Sequence, residues 1–255
     1  MSGSKLPLSV AIITYNEEDI IGRTLEAVHD IAQEIIVVDS HSTDRTREIA
    51  KAYGAKVFVE DWKGHVKQKN SALEKCTQEW ILALDADEVV SEELKESIVS
   101  AIRYPQAEGY YLNRKTYYMG KFLEHTWQPE WRLRLVRKSA CPTWTGQDPH
   151  DKLVIKGRTA KLEGFLYHYS FKDLKDHIFK SIAYAQRSAE VKFIAGEKAS
   201  LLNLILNPVW AFIKIFLLKK GFLDGMRGLI ASAVSSFYVF AKYAFLYEKQ
   251  LKPKL

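Results

Sequence analysis

Short apolar runs alternate with longer amphipathic stretches through the first hundred residues. Leu8 to Thr14 is apolar and β-branched and predicts a strand. A helical segment follows from about Glu18 to His29. Glu34 to Val38 predicts a second strand, and a helix from about Thr43 to Tyr53 has Ser42 or Thr43 as its N-cap and Gly54 as its stop. Ala55 to Val59 predicts a third strand, His65 to Cys76 a third helix, and Trp80 to Leu84 a fourth strand. Ser91 then caps a helix to about Arg103, with Glu92 and Glu93 suited to its first turn. This rhythm predicts an α/β domain with a mostly parallel central sheet and helices on both faces.

From Gly109 the rhythm breaks. Gly109 to Tyr118, Arg132 to Arg137 and Lys161 to Tyr167 predict strands, with Pro129, Pro142 and Pro149 between them. Residues 172–196 predict one long amphipathic helix. After residue 200 the character changes again. Leu201 to Leu218 and Leu229 to Tyr247 are apolar with a few polar interruptions, each about as long as a membrane span. Lys219, Lys220, Asp224 and Arg227 lie between them. Two amphipathic helices lying in a membrane interface fit this pattern better than two spans. Residues 5–200 are therefore expected to form the catalytic domain and 201–255 a membrane-associating tail.

Charge strengthens that division. The chain carries a net +6. Residues 201–255 hold eight Lys and Arg against two Asp and Glu, and the remainder balances. A basic, apolar tail reads as membrane-facing, and no recognised nucleic-acid motif competes with it. Cys76 and Cys141 form no motif and suit a reducing compartment. The start lacks the basic region and long apolar run of a signal peptide, so the catalytic part is expected in the cytoplasm.

Three polar turns fall where an open α/β sheet puts its ligands, beyond the carboxyl ends of strands. They are Thr14-Tyr15-Asn16-Glu17-Glu18, Asp39-Ser40-His41-Ser42-Thr43-Asp44 and Asp85-Ala86-Asp87-Glu88. In the last, alternate carboxylates point the same way on an extended turn and suit a hard divalent cation. A surface turn leading into a capped helix would look the same taken alone. Neither GxGxxG nor GxxxxGK[ST] occurs, which disfavours a dinucleotide enzyme and a P-loop NTPase. A bound nucleotide would then be held by a metal and side chains.

The runs Val10 to Glu18, Val37 to Ser40 with Ser42 to Thr46, and Leu84 to Glu88 resemble the family 2 glycosyltransferases of the GT-A fold. Arg132 to Arg137, His150 to Leu153, Leu166 to Ser170 and Lys220 to Gly225 look like the branch that builds lipopolysaccharide inner core, the WaaE/KdtX-type glucosyltransferases. The resemblance covers nearly the whole chain. It implies an inverting, metal-dependent transfer of glucose from a UDP-linked donor to a lipid-linked saccharide, at the cytoplasmic face of the bacterial inner membrane. It implies that Thr14, Asn16 and Glu17 line the nucleotide pocket and that Asp39 meets the base. Lys69 and Asn70 would face phosphate and ribose, and Asp85 the ribose or a metal-bound water. Asp87 would ligate Mg or Mn, with His168 as a further ligand.

Asp151 is the expected general base, where family members commonly carry Glu; Asp148 is its rival. Arg132 and Arg134 share a strand face and would hold acceptor phosphates, whereas Arg137 points the other way. Trp127, Trp131 and Trp144 either stack on acceptor sugar or are buried, and at least one is expected to be buried. Two other readings stay open on the sequence: transfer to a polyprenyl phosphate, and a nucleotide-binding protein without turnover.

Overall fold

The computed structural model describes residues 5–146 and 151–251. These form two compact units. One contains residues 5–114, 130–146 and 151–169, the other residues 115–129 and 170–251.

The first unit begins with β1 (Leu6–Thr14), α1 (Ile21–Glu26), β2 (Ala32–Asp39), α2 (Thr46–Ala52), β3 (Lys56–Val59), α3 (His65–Glu74) and β4 (Trp80–Asp85). The four strands are parallel, in the order β3-β2-β1-β4. Their alternation builds two cores. Leu8, Val10 and Ile12 of β1 join Leu82 and Leu84 of β4 beneath α1, with Ile21 and Leu25. Ala11 of β1 and Ile81 and Ala83 of β4 face the other way, onto Ala72 and Leu73 of α3. Burying both faces is what a near-continuous apolar run requires of a parallel strand, and each large aliphatic contributes about 1.5–3 kcal/mol.

The chain continues through β5 (Glu88–Val90), α4 (Glu92–Arg103) and β6 (Gly109–Tyr118), the last residues of which pair with β7 (Lys121–Phe122) in the second unit. Then come β8 (Trp131–Arg137), β9 (Thr143–Thr145), β10 (Lys152–Val154) and β11 (Thr159–His168). The sheet extends as β4-β8-β6-β11-β5, with β8 antiparallel to both neighbours and β11 antiparallel to β5. The fold is mixed α/β, with antiparallel pairings entering the sheet after β4. Ser91 caps α4 as expected, accepting from Leu94 N at 3.2 Å. Gly164 (φ +84°) lets β11 press on that cap: a Cβ there would lie 2.4 Å from Leu94 N.

Four strands escaped the sequence reading, β5, β7, β9 and β10, because two or three residues are too few to show a period. The second helix starts at Thr46, later than expected. Ser42 and Asp44 are engaged in a turn instead: Ser42 bonds Asp39, and Asp44 Oδ1 accepts from Thr46 N at 3.0 Å. α1 begins only at Ile21, since the backbone of Glu17 and Glu18 is tied to Thr46 and Asp44.

The second unit holds α5 (Leu174–Ile194), α6 (Leu201–Ile213) and α7 (Gly225–Leu251), so the tail expected from residue 201 belongs to a larger helical body. α6 runs on through a π-helical turn to Leu218. At the start of α7, Asp224 accepts the backbone N–H groups of Glu124, His125 and Thr126 at 2.9, 3.1 and 2.7 Å. Gly228 permits the tight corner there, since its Cβ would fall 1.8 Å from the carbonyl oxygen of Gly221. Tyr118 Oη and His177 Nδ1 are 2.8 Å apart in a buried aromatic cluster, and burial pushes His177 down to about 4.

Glu34 locks the amino-terminal edge of the sheet. Its carboxylate accepts from Ser9 Oγ (2.6 Å), Lys56 Nζ (2.9 Å) and Thr77 N (2.8 Å), which joins β1, β3 and the approach to β4. Burial alone would raise its pKa, but these partners hold it at about 2 against an ordinary 4.5. The stabilisation is therefore complete above pH 4.5 and lost as the pH falls toward 2. Glu34→Gln is expected to lose about 3 kcal/mol of stability at neutral pH. In urea unfolding at pH 7, 4 and 3, its deficit against the native protein should shrink with acidity. A deficit independent of pH would mean that the carboxylate charge is not what closes this edge.

Candidate active site

β1 lies between β2 and β4, and the three strands end level. Thr14 pairs with Asp39 and Ile13 with Asp85. The turns beyond these ends therefore share one edge of the sheet, as the sequence implies.

The first two turns are knitted together. Asn16 takes φ +55°, a conformation asparagine tolerates. Its backbone N–H donates to Ser42 Oγ (2.9 Å), and its side-chain oxygen accepts from Thr43 N (2.8 Å). Glu17 N donates to Thr46 Oγ1 at 2.8 Å. Asp39 lies beneath, with no exposed surface. Its Oδ1 accepts from Ser42 N at 2.9 Å and its Oδ2 from Ser42 Oγ, while Arg47 Nε stands 3.7 Å away. In this arrangement Asp39 shapes the loop. Beside it, the buried hydroxyls of Thr14 and Ser40 have no hydrogen-bond partner among the described residues.

The third turn is held by charge. Thr24 Oγ1 donates to Ala86 O at 2.7 Å, and Asp85 N donates to Glu88 Oε2 at 3.0 Å. Lys69 Nζ on α3 lies 2.8 Å from Asp85 Oδ1 and 2.8 Å from Asp151 Oδ2, with the Trp144 ring centroid 4.4 Å away. Arg134 Nη2 on β8 reaches Asp85 Oδ2 and Glu88 Oε1, both at 2.7 Å. Arg114 on β6 bonds Glu88 Oε1 (3.2 Å) and grips Glu130 with Nε and Nη2 at 2.9 and 2.7 Å. Arg132 completes the chain on Glu130 at 2.6 Å. Burial opposes the charge on Asp85, yet Lys69 and Arg134 hold its carboxyl well below the usual range.

Asp87 is set apart from these cations. β11 pairs with β5 so that His168 sits opposite Glu88, and Tyr169 N donates to Asp87 O at 3.0 Å. This register leaves His168 Nε2 3.4 Å from Asp87 Oδ2. Against the penalty of burial, His168 lowers the pKa of Asp87.

Lys69, Asp85, Asp151 and Arg134 thus converge, with Asp87 and His168 as an adjacent pair. Two expectations change. Arg134 does not face solvent as a phosphate holder: its side chain is 4% exposed and captured by two carboxylates. Asn70 is occupied elsewhere, with its amide clasping the backbone of Trp144 through bonds of 2.9 and 2.8 Å. Trp144 is buried, and Trp131 stacks under Lys161 at 4.4 Å. Asp148 and His150 lie outside the described residues. Glu88, Arg114 and Glu130 were missed as site residues. Glu88 stood in the acidic turn; Arg114 carries no local signal because its partners Glu88 and Glu130 are 26 and 16 residues away, and the nearby Arg132 alone did not mark Glu130.

The family model for "Glycosyl transferase family 2" matches residues 9–155. A curated relative, an uncharacterized glycosyltransferase of Rickettsia typhi, is 33% identical over 97% of this chain and 89% of its own. The lipopolysaccharide core biosynthesis glycosyltransferase LpsC of Rhizobium meliloti is 28% identical over 96% of this chain and 93% of its own. Among solved structures, the mannosyltransferase PcManGT of Pyrobaculum calidifontis, in complex with GDP-Man and Mn2+, gives a TM-score of 0.57. It shares 16% identity over 98% of this chain and 89% of that one. S. aureus TarS 1-349, in complex with UDP-GlcNAc, gives 0.51 at 15% identity over 93% and 91%. The structural likenesses establish a GT-A-like fold. Because the family match runs from β1 through β10, across the ends of β1, β2 and β4 that carry the three turns, this chain is a member of glycosyl transferase family 2.

Proposed function

We propose that this chain is an inverting hexosyltransferase that moves glucose from UDP-glucose to a lipopolysaccharide-core or related lipid-linked glycan. The observation that carries the reading is Lys69, poised at 2.8 Å between Asp85 and Asp151. It ties a carboxylate at a donor-side strand end to one suited to deprotonate an acceptor. The printed role of LpsC in lipopolysaccharide core biosynthesis supports the acceptor class. The complexes of TarS with UDP-GlcNAc and of PcManGT with GDP-Man and Mn2+ support a nucleotide-sugar donor and a divalent cation. A lipid-linked acceptor puts the reaction at the cytoplasmic face of the bacterial inner membrane.

The donor set fits Mg or Mn. Asp87 supplies a carboxylate oxygen and His168 an imidazole nitrogen, and the nitrogen tilts the choice toward Mn. No group of three or more His, Cys, Asp or Glu suited to a metal occurs among the described residues. Open positions for phosphate oxygens and water are typical of such ions. When bound, the cation would offset charge on the departing diphosphate.

Thr14, Asn16 and Glu17 line the nucleotide side, and Asp39 would meet the base once Ser42 gives up one of its bonds to the carboxylate. Lys69 turns from Asp151 to the donor diphosphate. Asp151 then accepts the proton of the acceptor hydroxyl as its oxygen attacks the anomeric carbon. The bond from that carbon to the diphosphate oxygen breaks, and its electron pair leaves with the diphosphate. Arg132, which is partly exposed, holds acceptor phosphate, while Arg134 fixes Asp85.

Two predictions follow from these roles. Asp87→Ala should fold normally but lose the Mn2+-dependent thermal stabilisation by UDP, which in the native protein reaches about 2.7 kcal/mol at a hundredfold excess over Kd. Normal turnover in that variant would remove Asp87 from the metal. Asp151→Asn should keep the UDP–Mn2+ shift and lose turnover by roughly 10²–10⁴, measured as transfer of labelled glucose to a lipid A–core acceptor. Preferred transfer to polyprenyl phosphate would replace the acceptor class, and unchanged turnover would exclude Asp151 as the base.

A further inference from the structure

Two helical stretches, Leu201–Leu218 and Gly221–Leu251, are long and apolar enough to cross a membrane, and only 6% of the first is buried. The polarity of α6 is inverted. Its exposed positions are Leu201, Leu202, Ile205, Leu206, Val209 and Trp210, a single stripe at helical spacing. Asn203, Leu204, Asn207, Pro208, Ala211, Phe212 and Ile213 are the better-covered residues, so both of the helix's asparagines lie on the covered side. Pro208 O accepts from Ser236 Oγ of α7 at 2.8 Å. The stripe continues past the helix with Leu217, Leu218, Phe222 and Leu223, all exposed. Between Leu201 and Tyr247 the exposed charges are Lys214 and Lys220, both basic, and Glu248 follows at the far end of α7.

α7 is not free to cross a bilayer. α5 runs parallel beside it: Ser188 meets Tyr238 at 3.0 Å, Lys192 lies over the Tyr243 ring at 6.0 Å, and Glu190 pairs with Lys249. α5 exposes Arg187, and a crossing α7 would carry it and the Glu190–Lys249 pair into hydrocarbon. The other end of α7 is fixed to the loop at Glu124–Thr126 through Asp224.

We propose that the outward stripe of α6, with Leu217, Leu218, Phe222 and Leu223, inserts into one leaflet of an anionic phospholipid surface and lies in its plane without crossing it. Apolar side chains enter the acyl boundary, and Trp210 takes the interfacial place that suits an amphipathic ring. Lys214 and Lys220 extend their stems along the stripe and meet lipid phosphates. The proposal deepens the lipid-linked acceptor reading by naming the surface that would hold the enzyme beside its substrate.

The test is sedimentation of the full chain with vesicles of phosphatidylcholine, alone or with about 30% phosphatidylglycerol. The native protein is expected to pellet with the anionic vesicles, less with the neutral ones, and less at high salt. Leu206→Asp with Val209→Asp should lower partitioning roughly tenfold or more while keeping the thermal midpoint and the UDP–Mn2+ shift. In a Cys141→Ser background, Lys220→Cys should react with an impermeant maleimide from outside sealed vesicles. Four results would each overturn the proposal: no binding to either vesicle, unchanged binding of the double variant, shielding of Lys220→Cys, or a native dimer that the double variant dissociates. The UDP–Mn2+ shift reads the donor site separately, so loss of one property leaves the other standing.

Discussion

One nitrogen of Arg134 serves two carboxylates, Asp85 and Glu88, at 2.7 Å each, in a place where Glu88 has no solvent at all. Charges so placed lose their hydration, and only close pairing compensates. Removing the guanidinium would leave Glu88 with Arg114 and Asp85 with Lys69 as their remaining cations. The Asp85-Ala86-Asp87 turn therefore cannot be understood from β4 alone. Asp85 is aimed by α3 and β8, Glu88 just beyond the turn is anchored by β6 and β8, and Asp87 is positioned by β11. The second half of the sheet thereby brings Arg114, Arg134 and His168 to a turn formed by the parallel first half.

That dependence explains what was legible in advance. The parallel strands were readable because each is a β-branched apolar run that must be buried on both faces. The three polar turns were readable because such strands end where ligands sit, and Thr14, Asp39 and Asp85 do share one edge. The partners were not readable. Lys69 and Asp151 are 82 residues apart, and Arg134 and Asp85 are 49 apart; no local pattern encodes such meetings. Arg134 was read as a surface phosphate holder because a strand arginine shows its face in the sequence but not which carboxylates will face it. Asn70, read as a ligand residue, packs β9 against α3 through the backbone of Trp144.

The second unit obeys the opposite rule. In the first, alternation says which side is inside, because the polar residues mark the outside. α6 is apolar nearly all round, so its sequence gave length and character but no orientation. Only the seating of Pro208 and Asn207 toward covered positions shows that Leu202, Leu206 and Trp210 point outward. The basic excess after residue 200 was visible in composition, yet its meaning comes from exposure: Lys214 and Lys220 are the charges left at the surface of an apolar face.

Charge balance at the site sets a condition on any donor. Lys69, Arg134, Arg114 and Arg132 stand against Asp85, Asp151, Glu88 and Glu130, so the connected network is formally neutral. A nucleoside diphosphate brings at least two negative charges that this network does not offset. Drawing Lys69 onto the phosphates answers part of that charge but strips Asp151 and Asp85 of a partner. In the proposed mechanism a divalent cation held by Asp87 and His168 would supply positive charge without taking any from the network. On that proposal the donor would bind together with its cation, and the ammonium drawn to the phosphates would be the one that frees Asp151. The aspartate at this position reaches Lys69 at 2.8 Å, the contact that the proposed mechanism would exchange for the donor phosphates.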